Sequence, residues 1–265
     1  MNFSPSTAIV TASDSGIGRV TAVALAQNGM DIGVTWHTDA EGAEQTANEV
    51  RALGRKAVVS RLDTTEIPAC GDVIDDLADQ LGGLDVMVNN AGTGDGTMFL
   101  DLDWDTWANT VRTDLDGAFV CIQRAARAMV RAGNGGRIIA VTSVHEHQPR
   151  VGSAAYDAAK HGLGGLVKTI ALELGQYGIT ANAVAPGEIA TPMTGQTDED
   201  PQHTHRPGVP LGRPGDAREI AAVIAFLASS AASYVTGASW PVDGGMLQMG
   251  PQAGSHITSD DWRTV

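Results

Sequence analysis

The sequence predicts an α/β protein: a doubly wound parallel sheet with helices on both faces, in three layers. Short apolar runs alternate with longer segments of helical period along nearly the whole chain. Each apolar run is continuous and does not alternate with polar residues, as expected for parallel strands covered on both faces. No composition break, linker or internal repeat divides the 265 residues, so one domain is expected over 1–265.

The elements follow in order. "TAIVT" (7–11) reads as a strand, and "IGRVTAVALAQNG" (17–29) as a helix ended by Gly29. "DIGVTW" (31–36) is a second strand, followed by a polar amphipathic helix over roughly 40–53. "KAVVSRLD" (56–63), "LDVMVNNAG" (84–92) and "GRIIAVTS" (136–143) are further strands with helices between them. "ITANAVAPG" (179–187) follows a long helix, and "SWPVDGG" (239–245) closes the series after "REIAAVIAFLASS". Alternating βα units imply right-handed crossovers. Two segments break the rhythm. Residues 190–215 are rich in Pro, Asp, Gln and His and too long for a plain connection, as a substrate loop would be. The polar tail 250–265 is expected on the surface or against a neighbouring subunit.

Composition excludes several functions. With 17 Lys and Arg against 31 Asp and Glu, the formal net charge is -14. Such a surface repels phosphate backbones and anionic lipid, so no nucleic-acid or membrane partner is expected. No run approaches the ~20 apolar residues of a membrane span, and the first residues carry no signal peptide. Only Cys70 and Cys121 are present, which fits a reducing cytoplasm better than a disulfide framework.

Three unusual stretches fall after strand ends: "TASDSGIG" (11–18), "NNAG" (89–92) and "TSVHEH" (142–147). In open α/β sheets ligands bind outside the carboxyl ends of the strands, so these stretches converge on one site. In the first, Gly16 and Gly18 would let a pyrophosphate approach the backbone at a helix N-terminus. Taken alone, it reads equally as an ordinary turn with Ser and Asp capping the helix. Tyr156 and Lys160, four apart on a predicted helix, share one face. A nearby ammonium lowers a phenol's pKa and makes it a general acid/base. Ser143, at a strand's carboxyl end, can hold a substrate oxygen.

These motifs resemble the short-chain dehydrogenase/reductase family over about residues 6–247. The pattern T-G-x-x-x-G-x-G appears as Thr11-Ala12-x-x-x-Gly16-Ile17-Gly18, with Ser13 and Ser15 between; N-N-A-G is intact as Asn89-Asn90-Ala91-Gly92. Ser143, Tyr156 and Lys160 stand at the family's catalytic spacing. Asn182, Pro186, Gly187 and Thr191 match N-x-x-x-P-G-x-x-x-T, with Ile189 inside it, and "PVDGG" matches the last strand. The resemblance implies a Rossmann-type, seven-stranded sheet and hydride transfer between a nicotinamide and an alcohol or carbonyl carbon. It further implies that Tyr156 exchanges the proton, Lys160 binds the nicotinamide ribose, and Ser143 orients the substrate oxygen. Thr11, Ser13, Ser15, Gly16, Ile17, Gly18, Asn90, Ala91, Gly92, Tyr156, Lys160, Pro186, Gly187, Ile189 and Thr191 would then contact the cofactor.

Two departures stand out. Ala12 occupies a glycine position; a left-handed conformation there would cost about 1–2 kcal/mol. "DLDGAF" places Asp114 where the family often has an Asn completing a catalytic tetrad. Its carboxylate beside the ammonium is expected to raise the Lys160 pKa and shift the pH optimum. At the end of strand two, Trp36 takes the place of the acidic residue of NAD enzymes and His37 follows. Without a carboxylate to repel a 2′-phosphate, NADP is favoured over NAD. Asp63 matches the family's adenine contact and reads equally as a helix cap.

On the substrate side, His145, Glu146 and His147 are expected to line a polar pocket for small carbonyls bearing hydroxyl or second carbonyl groups. H-x-H is not the zinc-protease spacing, so no metal is assigned. "TASDSGIG…TWHTDAEGA…TSVHEHQP" is similar to a bacterial subgroup compared with diacetyl/acetoin reductases. A 3-oxoacyl thioester reductase is the alternative, disfavoured by the acidic surface and by Gln176-Tyr177 before "GIT". A catalytically idle dinucleotide-binding sensor or scaffold is a further one. By resemblance a homotetramer is expected.

Overall fold

The structure, a computed structural model, describes residues 3–94, 96–196 and 200–252. Its first half alternates β1 (Thr7–Val10), α1 (Gly16–Gln27), β2 (Asp31–Trp36), α2 (Ala40–Ala52), β3 (Ala57–Arg61), α3 (Cys70–Leu81) and β4 (Val86–Asn89). Then come α4 (Trp104–Val111), α5 (Gly117–Ala132), β5 (Gly136–Val141), α6 (Ala154–Leu174) and β6 (Ile179–Pro186). Two short strands, β7 (Ile189–Ala190) and β8 (Gly215–Asp216), precede α7 (Ala217–Ala228) and β9 (Ser239–Val242).

Seven strands form one sheet in the order β3-β2-β1-β4-β5-β6-β9, with every pairing parallel. Strand order reverses direction between β1 and β4, so the crevice beside their carboxyl ends is where this topology opens a ligand site. Successive strand residues point to opposite faces. Ile9, Met87 and Ile138 therefore pack under α3, α5 and α6. Their neighbours Val10, Val88 and Ile139 pack under α1 and α7. Two buried faces explain why the strand sequences are apolar without interruption.

Two features were not read from the sequence. β7 and β8 pair Ile189 with Gly215 and Ala190 with Asp216, anchoring both ends of the 190–215 segment. Between α4 and α5 the chain makes a π-helical turn over Arg112–Asp116, which carries Asp114 inward. Gly117 follows because a Cβ there would stand 2.3 Å from the Thr64 carbonyl oxygen. Residues 197–199 of the expected substrate loop, and 253–265 of the expected tail, lie outside the described residues. Among the described residues no helix is long and apolar enough to cross a membrane.

Candidate active site

The loop after β1 is stitched to the loop after β4. Thr11 Oγ1 accepts hydrogen bonds from the backbone N–H groups of Asn90 and Ala91, both at 2.8 Å. Asn90 Nδ2 donates back to the carbonyls of Thr11 and Ala12, each at 3.1 Å. Ala12 adopts φ +48°, the left-handed region, so the methyl group sits where glycine is preferred. Gly18 is the tight point: a Cβ there would lie 2.0 Å from the Ala12 carbonyl oxygen. Ser15 precedes α1 without making a side-chain cap, so the first N–H groups of α1 stay turned to the crevice. This glycine cradle and uncapped helix start fit a dinucleotide pyrophosphate.

The same crevice, a cavity of ≈ 970 Å³, reaches from Ser15, Gly16 and Ile17 to Ser143, Tyr156 and Lys160, and on to Pro186, Gly187, Ile189 and Thr191. One helical turn of α6 separates Tyr156 from Lys160, whose Nζ stands 5.3 Å from the Tyr156 ring centroid. Lys160 is almost fully buried, and Asp114 fully so. Their Nζ and Oδ2 are 3.1 Å apart as an ion pair, off hydrogen-bond alignment. Asp114 Oδ1 accepts from the Thr93 N–H at 2.7 Å, which fixes the carboxylate. Gly92 leaves room for the pair, since a Cβ there would come within 3.2 Å of both Lys160 Nζ and Asp114 Oδ2. Burial opposes the Lys160 ammonium, but the Asp114 carboxylate and Tyr156 outweigh it and hold the Lys160 pKa above its ordinary value.

Ser143 begins a 3-10 turn (Val144–Glu146), its Oγ accepting from the His145 N–H at 3.2 Å. His145 lines the cavity, its ring edge-on to Tyr156 with centroids 6.2 Å apart. Its Nδ1 lies 2.9 Å from the Gln148 carbonyl oxygen. A carbonyl only accepts, so Nδ1 carries a proton.

Glu146 and His147 correct the expectation of three pocket residues. Neither lines the cavity. The Glu146 carboxylate accepts from Thr142 Oγ1 and Ser239 Oγ inside the fold, and His147 bonds Ser239. The turn sends His145 to the cavity and the next two residues to Ser239, which residue type alone does not reveal. Ser13 is likewise turned inward, donating to the Val10 carbonyl and accepting from the Thr35 N–H.

Thr11, Gly18, Ala91, Trp36, His37 and Asp63 stand outside the cavity wall, the last three at the ends of β2 and β3. His37 Nε2 is 3.1 Å from Asp63 Oδ2. Asp63 also accepts from the Thr65 hydroxyl and N–H, and these bonds with His37 hold its pKa below the usual carboxylate value. Arg61 donates to the His37 carbonyl and lies 3.6 Å from Asp63, adding a cation that the motif reading missed. Nearby Asp14 lines the cavity; burial, aided by Asp39, raises its pKa. Also missed were Arg150, Glu188 and Arg206 in the cavity wall. Glu188 Oε1 pairs with Arg206 Nε at 2.6 Å and accepts from Gln196 at 2.7 Å. No spacing signal links these residues, because they meet only across the substrate loop. Among the described residues no three His, Cys, Asp or Glu side chains converge as a metal site.

A Rossmann-like sheet, a glycine cradle at its switch point and a Tyr–Lys pair facing the same crevice define a nicotinamide-dependent oxidoreductase. Comparisons agree. A family model described as enoyl-(acyl carrier protein) reductase matches residues 11–247. The oxidoreductase YohF of Escherichia coli (strain K12) is 51% identical over 245 residues, covering 92% of this chain and 97% of that protein. The crystal structure of acetoin dehydrogenase from Enterobacter cloacae superposes with TM-score 0.88 at 51% identity, covering 94% of this chain and 98% of the other. A 3-oxoacyl-[acyl-carrier-protein] reductase of Synechocystis is 37% identical over 241 residues, covering 91% and 96%. The chain belongs to the short-chain dehydrogenase/reductase family and is an NAD(P)-dependent alcohol dehydrogenase/reductase.

Proposed function

We propose that the chain interconverts a small polar carbonyl and its secondary alcohol: a diketone, a hydroxyketone or a sugar-like molecule. The observation that carries this reading is a set of polar groups in the cavity wall, His145, Gln148, Arg150 and the Glu188–Arg206 pair, placed among apolar side chains such as Val151, Met193 and Leu247. The likeness to an acetoin dehydrogenase supports it.

When bound, the nicotinamide supplies or accepts the hydride. Ser143 Oγ orients the substrate oxygen by hydrogen bonding. Tyr156 gives its phenolic proton to that oxygen in reduction and takes it back in oxidation. Lys160, protonated through the neutral range, stabilises the phenolate and binds the nicotinamide ribose. Asp114 fixes the ammonium and moderates its field. Ser15, Gly16, Ile17, Asn90 and Gly92 hold the dinucleotide, with Pro186, Gly187, Ile189 and Thr191 on its other side. NADP is favoured and NAD accepted, because β2 ends in Trp36-His37 beside Arg61 with no carboxylate of its own. A homotetramer is supported by exposed apolar side chains such as Phe119, Leu172 and Tyr234. A reducing, cytoplasmic setting is supported by the free, buried Cys70 and Cys121.

The test is NADPH consumption with diacetyl and a panel of small ketones, against a Tyr156→Phe control that retains cofactor affinity. Turnover on the panel, lost in the control, is expected. Cofactor binding without turnover on any substrate would instead make the chain a sensor or scaffold. Preference for 3-oxoacyl thioesters would favour the reading drawn from the Synechocystis relative.

A further inference from the structure

The Glu146 carboxylate has no task in the mechanism above, yet it is buried with its side chain only 4% exposed. Carboxylates are rarely buried without a partner that requires them. Its Oε2 lies 2.7 Å from Thr142 Oγ1 and 2.9 Å from Ser239 Oγ. Ser239 Oγ is in turn 2.9 Å from His147 Nε2. Thr142 Oγ1 also lies 3.1 Å from the Val184 carbonyl, so its one hydrogen serves the shorter contact to the carboxylate, and Ser239 gives its own hydrogen there as well. Ser239 must then accept from His147, which fixes the proton on Nε2. The chain runs His147 to Ser239 to Glu146, with Thr142 donating from the other side. It joins β9 to Thr142, directly before Ser143, and to Glu146 and His147, three and four residues after it.

The surroundings are shaped to this carboxylate. A Cβ on Gly164, in the middle of α6, would stand 2.2 Å from Glu146 Oε1. Glycine costs a helix interior about 1 kcal/mol relative to alanine, and here its absent side chain is the space that the carboxylate fills. Oε1 itself has no hydrogen-bond partner among the described residues, so the group is held through Oε2 alone.

We propose that Glu146 is a positioning residue for Ser143, tying the turn that carries the serine to β9 through Thr142 and Ser239. This rests on the reading of Ser143 as the group that orients the substrate oxygen. A loosened turn lets Ser143 Oγ drift from the reacting carbonyl without disturbing the dinucleotide loop on the far side of the cavity.

The experiment is a double-mutant cycle on the full chain, with kcat and KM for diacetyl reduction and NADPH affinity measured for each variant. Glu146→Ala lowers kcat about tenfold with NADPH affinity unchanged, as a small misplacement of an orienting group does. In the Ser143→Ala background the same change costs less than about twofold, the non-additivity of residues acting through one another. Glu146→Gln keeps an oxygen acceptor and stays within about threefold of the parent. Gly164→Ala displaces the carboxylate without touching any cavity residue and repeats the Glu146→Ala pattern. If Glu146→Ala fails to fold, Gly164→Ala and Ser239→Ala run the same cycle under the same criteria. An equal loss in both backgrounds, or no loss in the parent, overturns the positioning role alone. A Ser143→Ala variant with parental kcat removes the underlying reading of Ser143, and this proposal with it.

Discussion

Lys160, which lines the cavity, and Asp114 behind it form a buried ion pair, Nζ to Oδ2 3.1 Å. The carboxylate is held from behind by the Thr93 N–H and delivered by the π-helical turn at Arg112–Asp116. Two charges removed from water are tolerable only together. Taking one away leaves the other uncompensated, at a cost of about 3–5 kcal/mol. We propose that the pair both holds Lys160 in place and tempers the positive field felt by the Tyr156 phenol.

Asp114→Asn separates those two effects, because the amide can still accept from Thr93 but carries no charge. Relieved of the opposing carboxylate, the ammonium stabilises the Tyr156 phenolate more strongly. The acid limb of the pH–rate profile for alcohol oxidation is expected to move to lower pH by about one unit, equivalent to ~1.4 kcal/mol. A profile identical to the parent's would mean that the Asp114 charge does not reach the phenol. The parent's stability has the opposite pH logic. The folded Lys160 pKa is raised, so the contribution of this group is complete below the unfolded value, near 10.4, and is lost only as pH climbs through the folded value. Urea midpoints should therefore show no dependence on Lys160 titration through the neutral range.

Ala12 is the only non-glycine at positive φ among the described residues. Ala12→Gly removes the methyl group from a left-handed position while leaving Thr11 and Asn90 bonded as they are. Stability should rise by about 0.5–1 kcal/mol, the relief of strain exceeding the added freedom of the unfolded chain. Urea denaturation measures it directly, and a less stable variant would show that the methyl contributes packing worth more than the strain.

At Gly18 the sign reverses. A methyl group would meet the Ala12 carbonyl oxygen at 2.0 Å and Asn90 Nδ2 at 2.7 Å, both parts of the stitched loop. Gly18→Ala is expected to weaken NADPH and NADH binding alike, by at least about tenfold, or ~1.4 kcal/mol. Fluorescence titration of the cofactor reads this without turnover, and retention of parental affinity would place the dinucleotide elsewhere.

We propose that cofactor choice lies with a cluster of opposite charges at the ends of β2 and β3. In this reading His37 and Arg61 favour a 2′-phosphate, whereas Asp14, Asp39 and Asp63, which already faces both cations, oppose one. Arg61→Ala should reduce NADPH affinity with little change for NADH, and Asp14→Asn should raise it. Each shift is expected to be about three- to tenfold at low ionic strength and smaller in high salt. Equal changes for the two cofactors would remove the cluster from 2′-phosphate recognition.

Much of this was legible along the chain, because backbone-level requirements leave local marks. Continuous apolar runs at strand length dictated a sheet buried on both faces, and spacing on one helix put Tyr156 and Lys160 on the same side. The glycines of the first loop and the order of the motifs sufficed to assign the family. What local pattern cannot encode is which way a side chain leaves a tight turn, or which distant group meets it. His145, Glu146 and His147 are consecutive, yet only His145 enters the cavity, because the 3-10 turn sends Glu146 inward to Ser239, 93 positions away. Arg61 reaches the His37 carbonyl only because β2 and β3 pair in register. Glu188 and Arg206 meet only because the loop between them doubles back. Sequence thus determined the fold and the reaction class, both set by short-range geometry and burial. Tertiary structure turned the Asp114–Lys160 and Ala12 expectations into a distance and a φ angle. It alone decided the partners of Glu146, the Arg61–His37 contact and the Glu188–Arg206 pair, since each depends on the packing of segments far apart in the chain.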